Sequence, residues 1–267
     1  MNFNKQIHQR WTAGTSVCIG LDPYPEKFPA NVGSIFDFNK AIIDATADLV
    51  CCYKPQFAHF AAAAAEGQLK QTIEYIKKNY PDIPVILDSK RGDIGSTATM
   101  YAKEAFEHYQ ADAVTVNPYM GSDTVLPFTE YQNKGVIILC RTSNPSASEF
   151  QNRQIAGEPL YQHVARMAQT HWNEHGNISL VVGATAADEM AMIRETAPEL
   201  PFLVPGIGAQ GGDLAAAVSA GKGADSVNLI INSSRAILYA SSGADFAEAA
   251  RKKTLELRDT IQSLLKV

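Results

Sequence analysis

The chain has 267 residues, of which 46% are hydrophobic and 19% are charged, and its formal net charge is −5 at pH 7. This composition can form a large apolar core. Binding to nucleic acid without sequence preference requires many cationic groups against the phosphates. The negative charge and the absence of basic runs argue against that function.

Membrane insertion and secretion are not expected from the sequence. No apolar run reaches the length of about 18 residues that a transmembrane helix needs, and the opening residues Met1–Gln6 lack the apolar segment of a signal peptide. Cys18, Cys51, Cys52 and Cys140 do not have the spacing of zinc ligands. We therefore expect a cytoplasmic protein with reduced thiols.

Short apolar runs alternate with amphipathic stretches along the whole chain. A helix over Asn4–Thr12 comes first. The predicted strands are then Val17–Leu21, Val50–Lys54, Val85–Asp88, Ala113–Asn117, Val136–Cys140, Ser179–Gly183, Phe202–Pro205 and Ser226–Ile231. The helices predicted after them are Ser34–Leu49, Gly67–Asn79, Ser96–Tyr109, Ser122–Gln132, Pro159–His175, Ala186–Ala197, Gly212–Ala220 and Ala244–Leu265. Strands that alternate with helices indicate a parallel sheet.

Eight such strand–helix units predict a (β/α)8 barrel, and the absence of a linker predicts one domain over residues 1–267. The alternative is a doubly wound open sheet. That fold usually has fewer strands, and the turn after the first strand, Asp22–Pro25, is not the glycine-rich loop of a dinucleotide site. A long segment after the fifth strand, Ser143–Gly157, is expected to cover the barrel mouth.

Polar residues stand at the ends of five successive predicted strands. Active groups in barrels come from the C-terminal strand ends. Residues i and i+2 of a strand share a face, so Asp88 and Lys90 are expected to lie together, with Asp93 available from the following loop. A purely structural ion pair is the alternative interpretation. The polar residues at the five ends are Asp22, Lys54, Asp88 with Lys90, Asn117, and Arg141 to Ser143.

The last two strands are followed by features that favour anion binding. The glycine-rich segment Pro205–Asp213 opens a helix, and Arg235 follows the eighth strand. Helix N-termini attract anions, and barrels often bind phosphate between these two loops. The sequence therefore predicts a phosphate site. No cluster of histidine, cysteine and carboxylate residues has metal-ligand spacing, and no metal is expected.

The run Asp88–Ala98, with the sequence DSKRGDIGSTA, resembles the signature of the orotidine 5′-phosphate decarboxylase family, in its bacterial branch often called type 2. The segments Gly20–Asp22, Tyr53–Pro55, Arg141–Pro145 and Pro205–Gly212 agree with that family in order and spacing. The resemblance implies conversion of orotidine 5′-monophosphate to uridine 5′-monophosphate and CO₂, the last step of de novo UMP biosynthesis. It implies no metal and no organic cofactor.

The resemblance also implies catalytic roles. Lys90 protonates C6 of the pyrimidine, and Asp88 lies against the departing carboxylate. Lys54 and Asp93 complete an alternating array of charges. The family relationship implies a homodimer in which Asp93, with Thr97 beside it, reaches into the site of the neighbouring subunit.

Substrate contacts are implied in the same way. Asp22 and Lys54 hold the ribose hydroxyls, Ser143 contacts the pyrimidine edge and Pro205 lines the base pocket. Gln210 and Arg235 bind the phosphate. Two residues, Gln56 and Ser234, depart from the common family pattern.

Three other functions remain open at this level. A Mg²⁺-dependent sugar-phosphate lyase shares the D-x-K-x-x-D core and would lose activity in EDTA. A Schiff-base aldolase could use Lys54 or Lys90 and would be trapped by borohydride. A catalytically silent nucleotide-binding protein is less compatible with the intact charges of Asp88, Lys90 and Asp93.

Overall fold

The computed structural model of the protein describes residues 2–207 and 212–266. Within them, eight parallel strands form the central sheet, and two short antiparallel strands, β6 and β7, form a hairpin in the loop after β5. The strands are β1 Val17–Leu21, β2 Cys52–Pro55, β3 Ile86–Arg91, β4 Ala113–Val116, β5 Gly135–Arg141, β6 Gln154–Ile155, β7 Glu158–Pro159, β8 Ile178–Val182, β9 Phe202–Val204 and β10 Leu229–Ser233.

The sheet closes almost completely on itself. Hydrogen-bonded neighbours follow the order β2-β1-β10-β9-β8-β5-β4-β3. Parallel bridges from Tyr53 to Val85 and from Gln56 to Asp88 then join β2 to β3. The predicted (β/α)8 barrel is confirmed, and the open-sheet alternative is wrong.

The helices, of which all but the first follow a strand, pack around the barrel. They are α1 Phe3–Thr12, α2 Ile35–Thr46, α3 Phe57–Ala62, α4 Glu66–Asn79, α5 Gly95–Lys103, α6 Ser122–Thr129, α7 Leu160–Thr170, α8 Ala187–Thr196, α9 Leu214–Gly221, α10 Arg235–Leu238 and α11 Phe246–Leu265. Among the described residues, no helix is both long and apolar enough to cross a membrane.

The element boundaries differ from the sequence prediction in a few places with identifiable causes. The last strand begins at Leu229 and not at Ser226, because Asn228 has a left-handed backbone with φ of +47°. Helix α5 gives way to a π-helical turn over Glu104–His108. The short helices α3 and α10 contain six and four residues, too few for a clear periodicity.

Helix α1 closes the N-terminal end of the barrel. Its apolar residues Phe3, Ile7 and Trp11 are buried in one cluster with strand residues that point into the barrel, such as Ile86 and Ile230. The Trp11 indole N–H donates to the carbonyl of Leu229 at 2.8 Å. Because this end is filled, a ligand can reach the barrel interior only from the C-terminal ends of the strands.

Candidate active site

Lys54 and Asp88 form a buried ion pair at the C-terminal ends of β2 and β3. The distance from Lys54 Nζ to Asp88 Oδ2 is 2.9 Å, and the side chains are 5% and 8% exposed. The parallel bridge between Gln56 and Asp88 holds these two strand ends together. The pair is therefore fixed by the closure of the barrel, between strands that the sequence separates by about 30 residues.

Four donors surround the carboxylate of Asp88. Lys90 Nζ and the Thr115 hydroxyl donate to Oδ1 at 2.7 and 2.8 Å. Lys54 Nζ and the Gln56 side-chain amide donate to Oδ2 at 2.9 and 3.1 Å. A carboxylate offers about four lone-pair positions to donors. The hydrogen-bonding capacity of Asp88 is therefore filled by this chain itself.

The two buried charges shift each other's pKa. Burial by itself raises the pKa of the Asp88 carboxyl, but the ammonium groups of Lys54 and Lys90 outweigh burial and hold that pKa well below its usual range. Burial lowers the pKa of Lys54, but the charges of Asp88 and Asp22 outweigh it and raise the Lys54 pKa above its usual value. Both groups are charged at neutral pH.

Lys90 lies in an irregular part of β3. Its backbone is left-handed, with φ of +46°, a conformation that costs a residue other than glycine on the order of 1–3 kcal/mol. Leu87 pairs with Val114 and Arg91 pairs with Val116, so four steps along β3 match only two along β4. The prediction that Asp88 and Lys90 share one face of the strand assumed that the strand is regular. The structure brings Lys90 to Asp88 through a bulge instead, with the Lys90 side chain 44% exposed at the barrel mouth.

The residue after Lys90 anchors this bulge to the outer helices. The guanidinium of Arg91 donates to both carboxylate oxygens of Glu104, at 2.9 and 2.8 Å. It also lies over the rings of Phe57 and Tyr101, 4.3 and 4.7 Å from their centroids. A two-pronged ion pair between stacked rings fixes a guanidinium tightly.

Asp22 lies beside Lys54 at the end of β1. Its Oδ1 atom is 4.0 Å from Lys54 Nζ. This atom is buried and, within residues 2–207 and 212–266, accepts no hydrogen bond. The Tyr239 hydroxyl donates to the main-chain carbonyl of Asp22 at 3.2 Å and accepts from Tyr24 N–H at 2.7 Å. The main chain of Asp22 is therefore fixed while its side-chain oxygen remains available to a donor.

The other predicted substrate contacts lie at the same end of the barrel. Ser143 follows β5, and Gly183 makes room for it, because a Cβ on Gly183 would lie 2.8 Å from Ser143 Cα. Pro205 follows β9 and is half-buried. Arg235 follows β10 and is exposed. Gln210 lies outside the described residues.

The two departures from the family pattern are accommodated. A Cβ on Gly20 would lie 1.9 Å from the Ser234 hydroxyl oxygen, so the glycine in β1 leaves room for the Ser234 side chain. Gln56 reaches Asp88, as described above. Neither residue disturbs the contacts between Asp88 and the two lysines.

Among the described residues of this one chain, the side chains of Asp93 and Thr97 form no hydrogen bond or ion pair with Lys54, Asp88 or Lys90. The Asp93 carboxylate accepts from Ile94 N–H at 2.8 Å, at the start of α5. Thr97 is exposed on α5. Large, exposed apolar side chains occur on α5, on α6 and in the segments just before these two helices, which pack against each other, and we call them the apolar ridge: Ile94, Met100, Tyr119, Met120 and Leu126.

A cavity of about 510 Å³ lies beside the barrel mouth and not over the charged residues. Its walls come from the segment between β4 and α6, from β5, from the β5–α7 loop and from α7, with Tyr119, Leu139, Phe150 and Met167 among its lining residues. Within the described ranges, no cluster of three or more histidine, cysteine or acidic side chains could bind a metal ion.

A nearly closed parallel barrel with a buried Asp–Lys array at the C-terminal strand ends has the architecture of a (β/α)8-barrel enzyme, in which active groups lie at that end. Comparisons with known proteins identify the family. A family model described as "Orotidine 5'-phosphate decarboxylase / HUMPS family" matches residues 15–252. The chain belongs to this family.

Similar proteins match over nearly the whole chain. A protein from Cellvibrio japonicus (strain Ueda107) named orotidine 5'-phosphate decarboxylase is 60% identical, with 98% of each chain covered. The structure of Leishmania donovani OMP decarboxylase matches with a TM-score of 0.84 and 38% identity, over 98% of this chain and 99% of that one. The structure of Leishmania donovani UMP synthase matches with a TM-score of 0.87 and 40% identity, and the chain spans 57% of its length.

Proposed function

We propose that this chain, as one domain over residues 1–267, decarboxylates orotidine 5′-monophosphate to uridine 5′-monophosphate and CO₂, the last step of de novo UMP biosynthesis. The observation that carries the proposal is the Asp88 carboxylate held between Lys54 and Lys90 at the barrel mouth. Relatives named orotidine 5'-phosphate decarboxylase, at 54% to 60% identity, support the same activity.

The reaction needs electrostatic stabilisation of a carbanion. The bond between C6 and the carboxylate carbon breaks, CO₂ leaves, and the electron pair remains on C6 without a conjugated sink. Lys90 supplies the nearby cation and then transfers a proton from Nζ to C6. One well-placed donor contributes about 3–4 kcal/mol to such a transition state. Enzymes need about 8–23 kcal/mol in total, so the whole array and the binding contacts must contribute.

Asp88 and Lys54 hold Lys90 in place for this step. Asp88 is ionised and its acceptor positions are filled, so it remains a fixed anion beside the substrate carboxylate. The two carboxylates repel each other. The substrate carboxylate leaves as neutral CO₂, and this repulsion ends. Lys54 compensates the negative charge on Oδ2 of Asp88. Together with Asp22, it is placed to hold ribose hydroxyls. The Oδ1 atom of Asp22, which accepts no hydrogen bond from the described residues, is a natural acceptor for such a hydroxyl.

The remaining contacts are assigned by their position at the barrel mouth. Ser143 contacts the pyrimidine edge and Pro205 lines the base pocket. Arg235 and Gln210 bind the phosphate, for which a guanidinium is well suited. Binding energy from this remote group drives closure of the β5–α7 loop.

The active form in this proposal is a homodimer that shares its two sites. The apolar ridge supports this arrangement, because it lies on α5, on α6 and in the segments just before them, where Asp93 and Thr97 also lie, and large exposed apolar residues grouped on neighbouring elements mark interaction surfaces. Packing two ridges together brings Asp93 and Thr97 of one subunit to Lys90 of the other. A cytoplasmic location is also part of the proposal, since the four cysteines are free and buried.

A single assay tests the activity. The loss of ultraviolet absorbance of orotidine 5′-monophosphate is followed with EDTA present, for the wild type, for Lys90→Ala and for the exposed control Lys253→Ala. We expect EDTA-resistant turnover that falls by at least about 10⁴-fold in Lys90→Ala, since a general acid and a charge are both lost. Lys90→Ala should still bind uridine 5′-monophosphate. Turnover in Lys90→Ala near that of the wild type would contradict the proposal. Loss of wild-type turnover in EDTA would contradict it as well.

Subunit mixing tests the shared sites. Lys90→Ala and Asp93→Asn chains are each expected to be inactive as homodimers. A mixed dimer has one site with both defects and one intact site, so equal mixing followed by exchange should restore about a quarter of wild-type activity. No recovery, with exchange verified by a mass difference between the chains, would place both residues in the same subunit's site.

A further inference from the structure

Thr115 is a buried residue of β4 whose hydroxyl contacts two groups of the site at once. It is 1% exposed. Its Oγ1 donates to Asp88 Oδ1 at 2.8 Å and accepts from the main-chain N–H of Lys90 at 2.9 Å. Neither the sequence patterns nor the proposed mechanism assigns this residue a role. Its hydroxyl nevertheless joins the Asp88 carboxylate to the main chain of Lys90, the proposed proton donor.

The position of Thr115 coincides with the interruption of the β3–β4 ladder. The pairs on either side are Leu87 with Val114 and Arg91 with Val116. Between these pairs β3 has three residues, Asp88 to Lys90, and β4 has only Thr115. The ladder cannot be regular there, and the threonine side chain provides the acceptor for Lys90 N–H.

The direction of both hydrogen bonds is determined. An ionised carboxylate can only accept, and a main-chain N–H can only donate. A hydroxyl has one proton and two lone pairs, so the Thr115 proton must go to Asp88 and its lone pair to Lys90 N–H. A methyl group in place of the hydroxyl removes both contacts. It leaves one acceptor position of Asp88 and one backbone donor without these partners.

Lys90 depends on such support because its backbone is left-handed. Residues in this conformation persist where their surroundings fix them. Arg91, the residue after Lys90, is held from outside the barrel by its ion pair with Glu104. Thr115 fixes Lys90 itself from inside.

We propose that Thr115 is a positioning residue that sets the orientation of the Asp88 carboxylate and the bulge at Lys90, and so keeps the Lys90 ammonium at the place where C6 reacts. This inference rests on the proposed decarboxylase function. It concerns the alignment of the proton donor and not the binding of the nucleotide. It therefore predicts an effect on kcat that is separate from ground-state affinity.

The test compares Thr115→Val, which replaces the hydroxyl by a methyl group of similar shape, with Thr115→Ser, which keeps the hydroxyl. We expect Thr115→Val to lower kcat about 10- to 100-fold, because small displacements of a reacting group cost that much. That loss equals about 1.4 to 2.7 kcal/mol of activation free energy. Thr115→Ser should stay within about threefold of the wild-type kcat, and affinity for uridine 5′-monophosphate should change less than about threefold in both.

Thr254→Val is the matched control. Thr254 is buried on α11, and its hydroxyl donates to the Ala250 carbonyl at 2.8 Å, far from the barrel mouth. Its substitution should leave kcat unchanged. If Thr115→Val does not fold, Thr115→Cys takes its place. Its thiol is a weak donor, so a kcat between those of the wild type and Lys90→Ala is expected, and a wild-type kcat overturns the proposal.

The outcomes separate the two levels of inference. A wild-type protein without turnover refutes the decarboxylase function. An active wild type with an equally active, folded Thr115→Val refutes the positioning role alone. Equal losses in Thr115→Ser and Thr115→Val also refute it, because Thr115→Ser keeps the hydroxyl and would keep kcat if the hydroxyl were the group that positions Lys90.

Discussion

Replacing Asp88 by Asn tests the buried array through stability, independently of activity. The substitution keeps the shape of the side chain and removes the charge that compensates Lys54. Lys54 is 5% exposed, and its remaining carboxylate partner, Asp22, is 4.0 Å away. Removing one partner of a buried ion pair costs about 3–5 kcal/mol. This is a large fraction of a typical unfolding free energy of about 5–15 kcal/mol.

The loss of stability should depend on pH in a defined way. In the wild type the pKa of Lys54 is raised, so its contribution is fully present below the unfolded pKa of about 10.4 and is lost as pH rises through the folded pKa. In Asp88→Asn, burial dominates and lowers the pKa of Lys54. The variant should then regain stability as pH rises from about 7 to 9.5, because the unfolded chain binds more protons in that window.

The acid side of the profile follows from Asp88 itself. Its pKa is lowered in the folded protein, so its contribution to stability is present above the unfolded pKa of about 3.9 and is lost as pH falls below it. Asparagine does not titrate. The difference in unfolding free energy between wild type and Asp88→Asn should therefore be largest between about pH 5 and 7 and should become smaller at lower and at higher pH.

The difference in unfolding free energy between wild type and Asp88→Asn is measured by urea unfolding. Tryptophan fluorescence follows the transition at fixed protein concentration and several pH values. Asp48→Asn is the matched control, because Asp48 forms an ion pair with Arg251 at 2.6 Å while its side chain is 60% exposed. Exposed pairs contribute about 0.2–1 kcal/mol. If Asp88→Asn loses no more stability than Asp48→Asn, or if its deficit is constant with pH, Lys54 is not a buried charge that depends on Asp88.

Two further predictions concern single groups of the site. Lys90→Ala should change the unfolding free energy by less than about 1 kcal/mol in the same titrations, because its side chain is 44% exposed; a larger loss would mean that missing activity reflects unfolding. Tyr239→Phe removes the hydroxyl between Tyr24 and the main chain of Asp22. It should raise KM about 3- to 10-fold with kcat nearly unchanged in steady-state assays, since we propose that Asp22 holds the ribose. An unchanged KM would show that Tyr239 does not support Asp22.

Much of the fold could be predicted because each strand is a short apolar run with a distinct end. The first strand, Val17–Leu21, has the predicted bounds. The positions of Asp22, Lys54 and Asp88 at strand ends followed from the same pattern, since a parallel barrel collects those ends at one mouth. The contact between Asp88 and Lys90 followed from their spacing, although the spacing did not indicate the bulge that makes it.

Other parts of the site could not be predicted because they depend on which strands become neighbours. Thr115 stands in the run Ala113–Val116, where a lone polar residue inside an apolar strand is the only local signal. Its partners lie on β3, and only the register of the two strands shows that it contacts both Asp88 and Lys90. The Tyr239 contact with Asp22 joins residues 217 positions apart. Periodicity contains no information about such distant pairs.

The division of contacts within the site indicates where its binding energy is used. The bonds among Lys54, Asp88, Lys90 and Thr115 are all made by the chain itself. Charges that are already fixed need little reorganisation when negative charge develops on the substrate. Asp22 Oδ1 is instead buried without a donor from the described residues. In the proposed function a ribose hydroxyl donates to this oxygen, so binding energy is gained at the sugar while the charges proposed to act on C6 remain in place.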